Sequence, residues 1–241
     1  MSLEIETVAD AAVLAERAVA LIEEFGARRQ EAAGHFSVSL AGGSTPKAIY
    51  KLWGERSHLA WDKLHLFYGD ERCVPPDHPD SNAGMVSAAL LEQLPTAPHV
   101  YRMEGEDEMP ERAALNYEET LREALEELEA IDLALLGIGT DGHTASLFPG
   151  GSAIHERERL CVTAPAPDGK MQRLTLTPPA LRGARRIMFM AAGADKAEVI
   201  RQVIQGNVEP DKYPSQIFLR DEALAVTLLL DEAAAAGLDG E

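Results

Sequence analysis

Apolar and polar residues follow two alternating periods along this chain. Residues 8–31 carry apolar side chains every three or four positions between glutamates and arginines, which predicts an amphipathic helix. Residues 35–40 alternate with a period of two and predict a strand. The same two patterns predict further helices at 47–53, 81–94 and 110–129 and further strands at 63–68, 99–103, 131–136, 160–164, 174–177, 186–191 and 224–229.

Strands that alternate with helices predict an α/β fold with a mostly parallel sheet. The short continuous apolar runs at 133–136 and 187–192 are typical of strands buried on both faces, so we expect helices on both sides of the sheet. The sequence contains no repeat and no linker-like stretch. We therefore expect one domain over residues 1–241.

The net charge of the chain limits which classes of ligand and macromolecule it can bind. The chain of 241 residues has 22 Lys and Arg against 40 Asp and Glu, a net charge of −18. This field repels nucleic acid, so we expect no nucleic-acid partner. It also opposes an anionic substrate, which would need a local positive site. Two cysteines without CxxC spacing, no basic-apolar leader and no long apolar run favour a reducing, cytoplasmic location without a membrane span.

Ligands of open α/β sheets bind beyond the carboxyl ends of the strands, so the loops that follow strands are the places to search. In the first such loop Gly42 and Gly43 allow close backbone approach, and Ser44 and Thr45 offer hydroxyls before a helix. This arrangement suits a phosphate. The alternative is a tight turn in which Ser44 or Thr45 caps the helix.

The second loop carries Asp70, Glu71 and Arg72 directly after a predicted strand. Arg72 is suited to stabilising negative charge on an oxygen, and Asp70 or Glu71 to orienting it or transferring a proton. A solvated surface turn is the alternative. Whether the neighbouring Cys73 thiol is activated by Arg72 or buried and inert stays open at this point.

The third loop has a GxGxxG spacing at Gly137, Gly139 and Gly142, which is typical of dinucleotide binding. Other residues of the loop oppose that interpretation. Asp141 would place a carboxylate beside a pyrophosphate, and Pro149 shortens the following helix. What remains is Asp141-Gly142-His143. His143 is suited to act as a general base with Asp141 fixing its tautomer, unless it only hydrogen-bonds its own loop.

Two cations follow in later segments. Lys196 begins a helix after a strand, where the helix dipole disfavours a cation, and is a candidate phosphate ligand or an exposed lysine. Arg173 opens another strand and is a weaker candidate. GxSxG, P-loop and HExxH patterns are absent, so we expect neither a serine nucleophile nor a metal or cofactor.

Three segments together resemble the 6-phosphogluconolactonase family. They are AGGSTP at 41–46, GDERCVP at 69–75 with Ser-Asn at 81–82, and GIGTDGHTASLFP at 137–149, and the similarity extends over about 36–230. The resemblance implies a Rossmann-like fold, hydrolysis of the lactone of 6-phosphogluconate in the oxidative pentose phosphate pathway, and no metal or nucleotide.

The resemblance also implies roles for individual residues. His143, Asp141 and Arg72 would be catalytic, and Gly43, Ser44, Thr45, Lys196 and Arg173 would bind the substrate phosphate. Residues 169–172 lack the prolines that usually precede the family's arginine, a departure that affects Arg173.

Two alternatives remain beside the lactonase. One is the related glucosamine-6-phosphate isomerase/deaminase, and the other is a non-catalytic regulator that binds a sugar phosphate. The isomerase/deaminase carries a glutamate after its Asp-Gly-His, and residues 144–149 contain no acid, which favours the lactonase. We expect a monomer or a small homo-oligomer.

Overall fold

The computed structural model describes residues 3–167, 169 and 171–238. This part of the chain forms ten strands and eight α-helices. The strands are β1 Leu3–Val8, β2 Phe36–Leu40, β3 Leu64–Tyr68, β4 Asp70–Arg72, β5 His99–Val100, β6 Leu133–Gly137, β7 Cys161–Pro165, β8 Gln172–Leu176, β9 Arg186–Ala191 and β10 Val226–Asp231. The helices are α1 Ala11–Ala33, α2 Ser44–Arg56, α3 Asn82–Ala89, α4 Pro110–Leu128, α5 Pro178–Arg182, α6 Ala197–Gln205, α7 Gln216–Leu219 and α8 Glu232–Ala235.

Seven strands form one parallel sheet in the order β1-β10-β9-β6-β2-β3-β5. Every residue of β2 and of β10 is buried, which requires cover on both faces of the sheet. The predicted α/β class with a mostly parallel sheet is therefore confirmed. Because all seven strands run the same way, the loops after β9, β6, β2 and β3 meet at one edge.

The helices begin and end where local chemistry satisfies the backbone. Asp10 caps α1 by accepting hydrogen bonds from the amides of Ala12 and Val13, at 2.9 and 3.0 Å. The helix ends at Gly34, whose φ of 81° suits a residue without Cβ. Leu14, Ala18 and Ile22 lie on its buried face, as the period of 3.6 predicts.

The second sheet corrects three of the predictions. Residues 69–80 were expected to form a loop, but Asp70–Arg72 is the strand β4. The strands predicted at 160–164 and 174–177 are β7 and β8, and they do not join the parallel sheet. They pair with β4 in an antiparallel sheet of order β4-β8-β7. The pairing of β4 with β8 joins residues about 100 positions apart, so no local pattern predicts it.

Other differences from the prediction concern an element boundary and a missed strand. The helix expected at 81–94 ends at Ala89 and is followed by a 3-10 turn at Leu91–Gln93. The N-terminal edge strand β1 was missed. It pairs with β10, and its short alternating run lies beside solvent, where the apolar signal is weak.

Candidate functional site

A cavity of about 250 Å³ lies at the carboxyl edge of the parallel sheet. Its walls come from the loops after β2, β3, β6 and β9, as the topology requires. The lining residues are Ala41, Gly42, Gly43, Asp70, Arg72, Asn82, Gly137, Ile138, Gly139, His143, Ala145 and Lys196. A larger groove of about 770 Å³ at the amino ends of β9 and β10 contains neither His143 nor Arg72, so the smaller cavity is the candidate site.

His143 lines this cavity, and Asp141 is its hydrogen-bond partner. Nδ1 of His143 lies 2.6 Å from Oδ1 of Asp141, and the same oxygen accepts the His143 amide at 3.1 Å. Burial alone would raise the pKa of Asp141, but the hydrogen bond and charge of His143 outweigh it and lower that pKa below its usual value. Asp141 is therefore an ionised partner that orients the imidazole.

Backbone packing fixes this pair in place. A Cβ on Gly139 would lie 2.1 Å from Nδ1 of His143, so only glycine leaves room for the ring. Gly142 has a φ of 83° and packs against Tyr213. The ring of Phe148 lies 5.0 Å from the His143 ring, between centroids. Gly139 and Gly142, two of the three glycines in the GxGxxG spacing, therefore shape the His143 loop.

Arg72 reaches the cavity from the end of β4. Its Nη1 donates to the carbonyl of Asp80 at 2.5 Å and to Oδ1 of Asn82 at 2.7 Å. Within the described residues, no carboxylate lies within ion-pair distance of Arg72. The guanidinium charge is therefore held by neutral acceptors and stays available to a ligand.

Asp70 and Glu71, predicted together as possible supports, lie in different surroundings. Asp70 lines the cavity, and its Oδ2 accepts from Oγ of Ser146 at 2.7 Å. Glu71 is 1% exposed and is absent from the lining residues. Its carboxylate accepts from the amides of Arg72, Asn82 and Ala83, each at 2.7 Å.

Burial raises the pKa of Glu71 above its ordinary value, although those three amides act to lower it. The hydrogen bonds from the amides of Asn82 and Ala83 to the Glu71 carboxylate join β4 to the start of α3.

The predicted phosphate residues are partly brought together. Gly43, with a φ of 105°, is the N-cap of α2, and no side chain caps the first amides of that helix. Ser44 and Thr45 form its first turn but do not line the cavity. Lys196 lines the opposite wall, with Nζ 3.8 Å from Oδ2 of Asp195.

Arg173 is not brought into the cavity. It lies on β8 opposite Arg72 of β4, and its Nη1 donates to the sulfur of Met171 at 2.9 Å. Lys170, in the segment that departs from the family pattern, lies outside the described residues. Cys73 is partly buried, and burial raises its pKa to about 11 despite Arg173 nearby, so its thiol stays protonated at neutral pH.

Three residues of the site were not singled out as functional from the sequence. Asn82 lines the cavity and bonds Arg72, and Ser146 connects the His143 loop to Asp70. Ala145, which precedes Ser146 and also lines the cavity, has a φ of 47°, a strained conformation for alanine. All three positions lie within the segments that resemble the family, but no local pattern predicts their contacts.

Among residues 3–167, 169 and 171–238, no group of three or more His, Cys, Asp or Glu is arranged to hold a metal ion. In the same residues, every helix is too short or too polar to cross a bilayer.

Comparisons with known proteins agree with the geometry. The family model described as glucosamine-6-phosphate isomerases/6-phosphogluconolactonase matches residues 9–227. A 6-phosphogluconolactonase of a Nostoc species is 40% identical over 210 residues, which cover 85% of each chain. The human 6-phosphogluconolactonase is 35% identical over 216 residues, covering 85% of this chain and 81% of its own.

Solved structures give the same result. The 6-phosphogluconolactonase of Trypanosoma cruzi superposes with a TM-score of 0.87 at 31% identity, covering 100% of this chain and 99% of its own. The match to the family model spans nearly the whole chain and includes all four loops of the cavity. The chain therefore belongs to the glucosamine-6-phosphate isomerase/6-phosphogluconolactonase family.

Proposed function

We propose that this protein hydrolyses 6-phospho-D-glucono-1,5-lactone to 6-phospho-D-gluconate, a step of the oxidative pentose phosphate pathway. The observation that carries the proposal is His143, which lies 2.6 Å from Asp141 and lines one cavity with Arg72 and Lys196. Such a set can activate water, stabilise an oxyanion and hold a phosphorylated ligand. Relatives that carry the name 6-phosphogluconolactonase support it.

His143 acts as the general base. Since the pKa of Asp141 is lowered, its carboxylate stays ionised and accepts a hydrogen bond from Nδ1–H of His143, which leaves the lone pair of Nε2 for water. Water attacks the lactone carbonyl as Nε2 takes its proton. The protonated ring then donates that proton to the leaving ring oxygen, so one histidine serves both steps.

Arg72 stabilises the oxyanion that forms on the carbonyl oxygen. The carbonyl of Asp80 and the amide oxygen of Asn82 hold its guanidinium without cancelling its charge. Because a lactone is a reactive ester, this route needs no covalent intermediate.

The phosphate binds at the Gly43 turn and Lys196. The uncapped first turn of α2 presents amide donors and the positive end of a helix of 13 residues. Lys196 adds a cation from the other side of the His143 loop, since β9 and β2 flank β6 in the sheet. These local charges offset the repulsion by the net charge of −18. Ser44, Thr45 and Arg173 remain predicted ligands.

The loop after His143 favours the lactonase over the isomerase/deaminase of the same family. Residues 144–149 contain no acid that could support the imidazole in the way expected of the isomerase/deaminase. Asp70, the acid that could move a proton in such a reaction, accepts hydrogen bonds from Ser146 and Asn82.

Acid release from freshly generated 6-phospho-D-glucono-1,5-lactone, corrected for spontaneous hydrolysis, tests the proposal. The wild-type protein should release acid well above the spontaneous rate. His143→Ala should lower kcat roughly 10²- to 10⁴-fold, the usual size of a general acid–base contribution. His58→Ala, at an exposed histidine outside the cavity, is the matched control and should keep wild-type activity.

Wild-type turnover no faster than the spontaneous rate would overturn the lactonase proposal. Glucosamine 6-phosphate turnover and then plain phosphosugar binding would be measured next. Near-normal turnover by a folded His143→Ala variant would remove only the assignment of the base.

The proposal extends to location and assembly. We place the enzyme in the cytoplasm, in keeping with Cys73 and Cys161, which are both free thiols. We expect a monomer or a small homo-oligomer, which size-exclusion chromatography with light scattering would distinguish.

A further inference from the structure

Asn82 connects three separate parts of the cavity. It is the first residue of α3 and is only 2% exposed. Its side chain contacts Arg72 and Asp70 and lies against Gly42. The chemistry proposed above uses only the contact with Arg72, so the contacts with Asp70 and Gly42 require a separate explanation.

The hydrogen bonds of Asn82 allow only one orientation of its amide. Nδ2 donates to the carbonyl of Asp70 at 2.9 Å and to Oδ1 of Asp70 at 3.2 Å. Oδ1 of Asn82 accepts Nη1 of Arg72 at 2.7 Å. The reversed amide would set NH₂ against the guanidinium and oxygen against two acceptors of Asp70, so the acceptor must face Arg72.

The backbone of Asn82 is equally fixed. Its amide donates to Oε1 of Glu71 at 2.7 Å, at the N-terminus of α3. On the other side, a Cβ on Gly42 would lie 2.1 Å from Oδ1 of Asn82. The side chain is therefore wedged between the Gly42–Gly43 turn and Arg72, with little freedom to move.

This arrangement leaves most of the guanidinium for a ligand. In the described part of the chain, both hydrogen bonds of the Arg72 side chain come from Nη1, to Asp80 and Asn82. Nε and Nη2 remain as donors. A carboxylate at position 82 would hold Arg72 as well but would cancel its charge, whereas an amide holds it and leaves the charge intact.

We propose that Asn82 is a positioning residue that fixes the Arg72 guanidinium in the orientation that stabilises the oxyanion. The inference rests on the role proposed above for Arg72. It predicts that Asn82 acts on turnover through Arg72 and contributes little to substrate binding.

A double-mutant cycle tests this inference, with kcat and KM for the lactone measured for Arg72→Ala, Asn82→Ala and the double variant. Asn82→Ala should lower kcat roughly 10- to 10²-fold, since small displacements of a catalytic group have effects of this size, with KM changed less than about 3-fold. In the Arg72→Ala background the same substitution should change kcat less than about 2-fold. Asn116→Ala, at an exposed asparagine of α4, is the matched control.

Chemical rescue gives a second readout that a structural role would not affect. Methylguanidinium should restore part of the turnover of Arg72→Ala, because Asn82 still offers its acceptor. The double variant should show no such rescue.

Asn82→Asp preserves the shape of the side chain and the oxygen that accepts from Arg72. It replaces Asn82→Ala in the test if that variant does not fold. It should also lose kcat, because it cancels the charge of Arg72 and repels Asp70.

The outcomes separate the two proposals. Unchanged kcat in Arg72→Ala would remove the role of Arg72 itself. A slow Arg72→Ala with an undiminished further loss on adding Asn82→Ala would overturn the inference about Asn82 alone. Wild-type kcat in either Asn82 variant would also overturn it.

Discussion

Gly139 shows how much the site depends on a single missing methyl group. A Cβ there would lie 2.1 Å from Nδ1 of His143 and 2.6 Å from Oδ1 of Asp141, closer than any van der Waals contact allows. The same residue donates its amide to the carbonyl of His143 at 2.9 Å, which closes the turn. The Asp141–His143 geometry therefore requires glycine at this position.

Gly139→Ala is expected to displace the imidazole and lower kcat roughly 10²-fold, since misplacing a catalytic group by about 1 Å has effects of that size. Steady-state kinetics on the lactone would measure this. Gly183→Ala is the control, because Gly183 has a φ of −72° and its Cβ would lie 3.3 Å from the carbonyl of Ala180. Wild-type kcat in Gly139→Ala would show that the pair tolerates displacement.

At the scale of elements, the start of α3 is joined to β4 by one buried carboxylate. Glu71 accepts hydrogen bonds from the amides of Asn82 and Ala83, each at 2.7 Å. It also accepts one from Oγ of Ser81 at 3.2 Å. Ser81 in turn caps the helix by accepting the amide of Gly84. Hydrogen bonds to Glu71 therefore hold β4, which carries Arg72, against the start of α3.

Glu71→Ala should reduce the free energy of unfolding by roughly 2–4 kcal/mol, because it leaves several buried donors without an acceptor. Urea denaturation followed by circular dichroism would measure the change. Glu123→Ala, at an exposed glutamate of α4, should cost less than about 0.5 kcal/mol. An equally small effect in both variants would contradict the structural role of Glu71.

A second group of elements brings histidines together at the amino ends of β2, β3 and β5. The ring of His65 stacks on that of His99 at 4.5 Å between centroids, and the ring of His35 lies 6.0 Å away. Nδ1 of His65 lies 2.9 Å from the hydroxyl of Tyr101. Burial, followed by the charges of His99 and His35, lowers the pKa of His65 below its usual value, although Glu127 and Asp132 act to raise it.

A lowered pKa in the folded state means that the unfolded chain binds the proton more readily. The free energy of unfolding should therefore fall as pH drops through about 6.5 and level off below the pKa of the folded state. Urea midpoints between pH 5 and 8 should vary less in His65→Gln than in wild type, whereas His58→Gln, at an exposed histidine, should match wild type. Identical pH profiles for wild type and His65→Gln would contradict the prediction.

The whole molecule is dominated by its negative charge. A net charge of −18 on 241 residues destabilises the compact state by self-repulsion. Many exposed ion pairs, such as Arg56–Glu16, contribute little against this field. Salt should therefore stabilise the fold by screening the charges.

Raising salt from 0.01 to 0.15 M shortens the screening length from about 30 to about 8 Å, so the Tm should rise. Thermal scans followed by circular dichroism would show it, and NaCl and KCl should act equally if screening is the cause. A Tm that falls with salt would mean that surface ion pairs outweigh the repulsion.

The sequence by itself determined the α/β class, the parallel core and the Asp141–His143 pair. These follow from short-range patterns: two periods of hydrophobicity, and two side chains separated by one glycine. Only the tertiary structure decided that β4 joins a separate antiparallel sheet, that Glu71 is buried under α3, and that Arg173 does not line the cavity. It also decided the contacts of Asn82 with Gly42 and of Ser146 with Asp70.

The physical reason is the distance along the chain. Ser146 and Asp70 are separated by 76 positions, and Gly42 and Asn82 lie on different loops. Such contacts depend on which strands are neighbours in the sheet, and a hydrophobic pattern records only that a strand is buried.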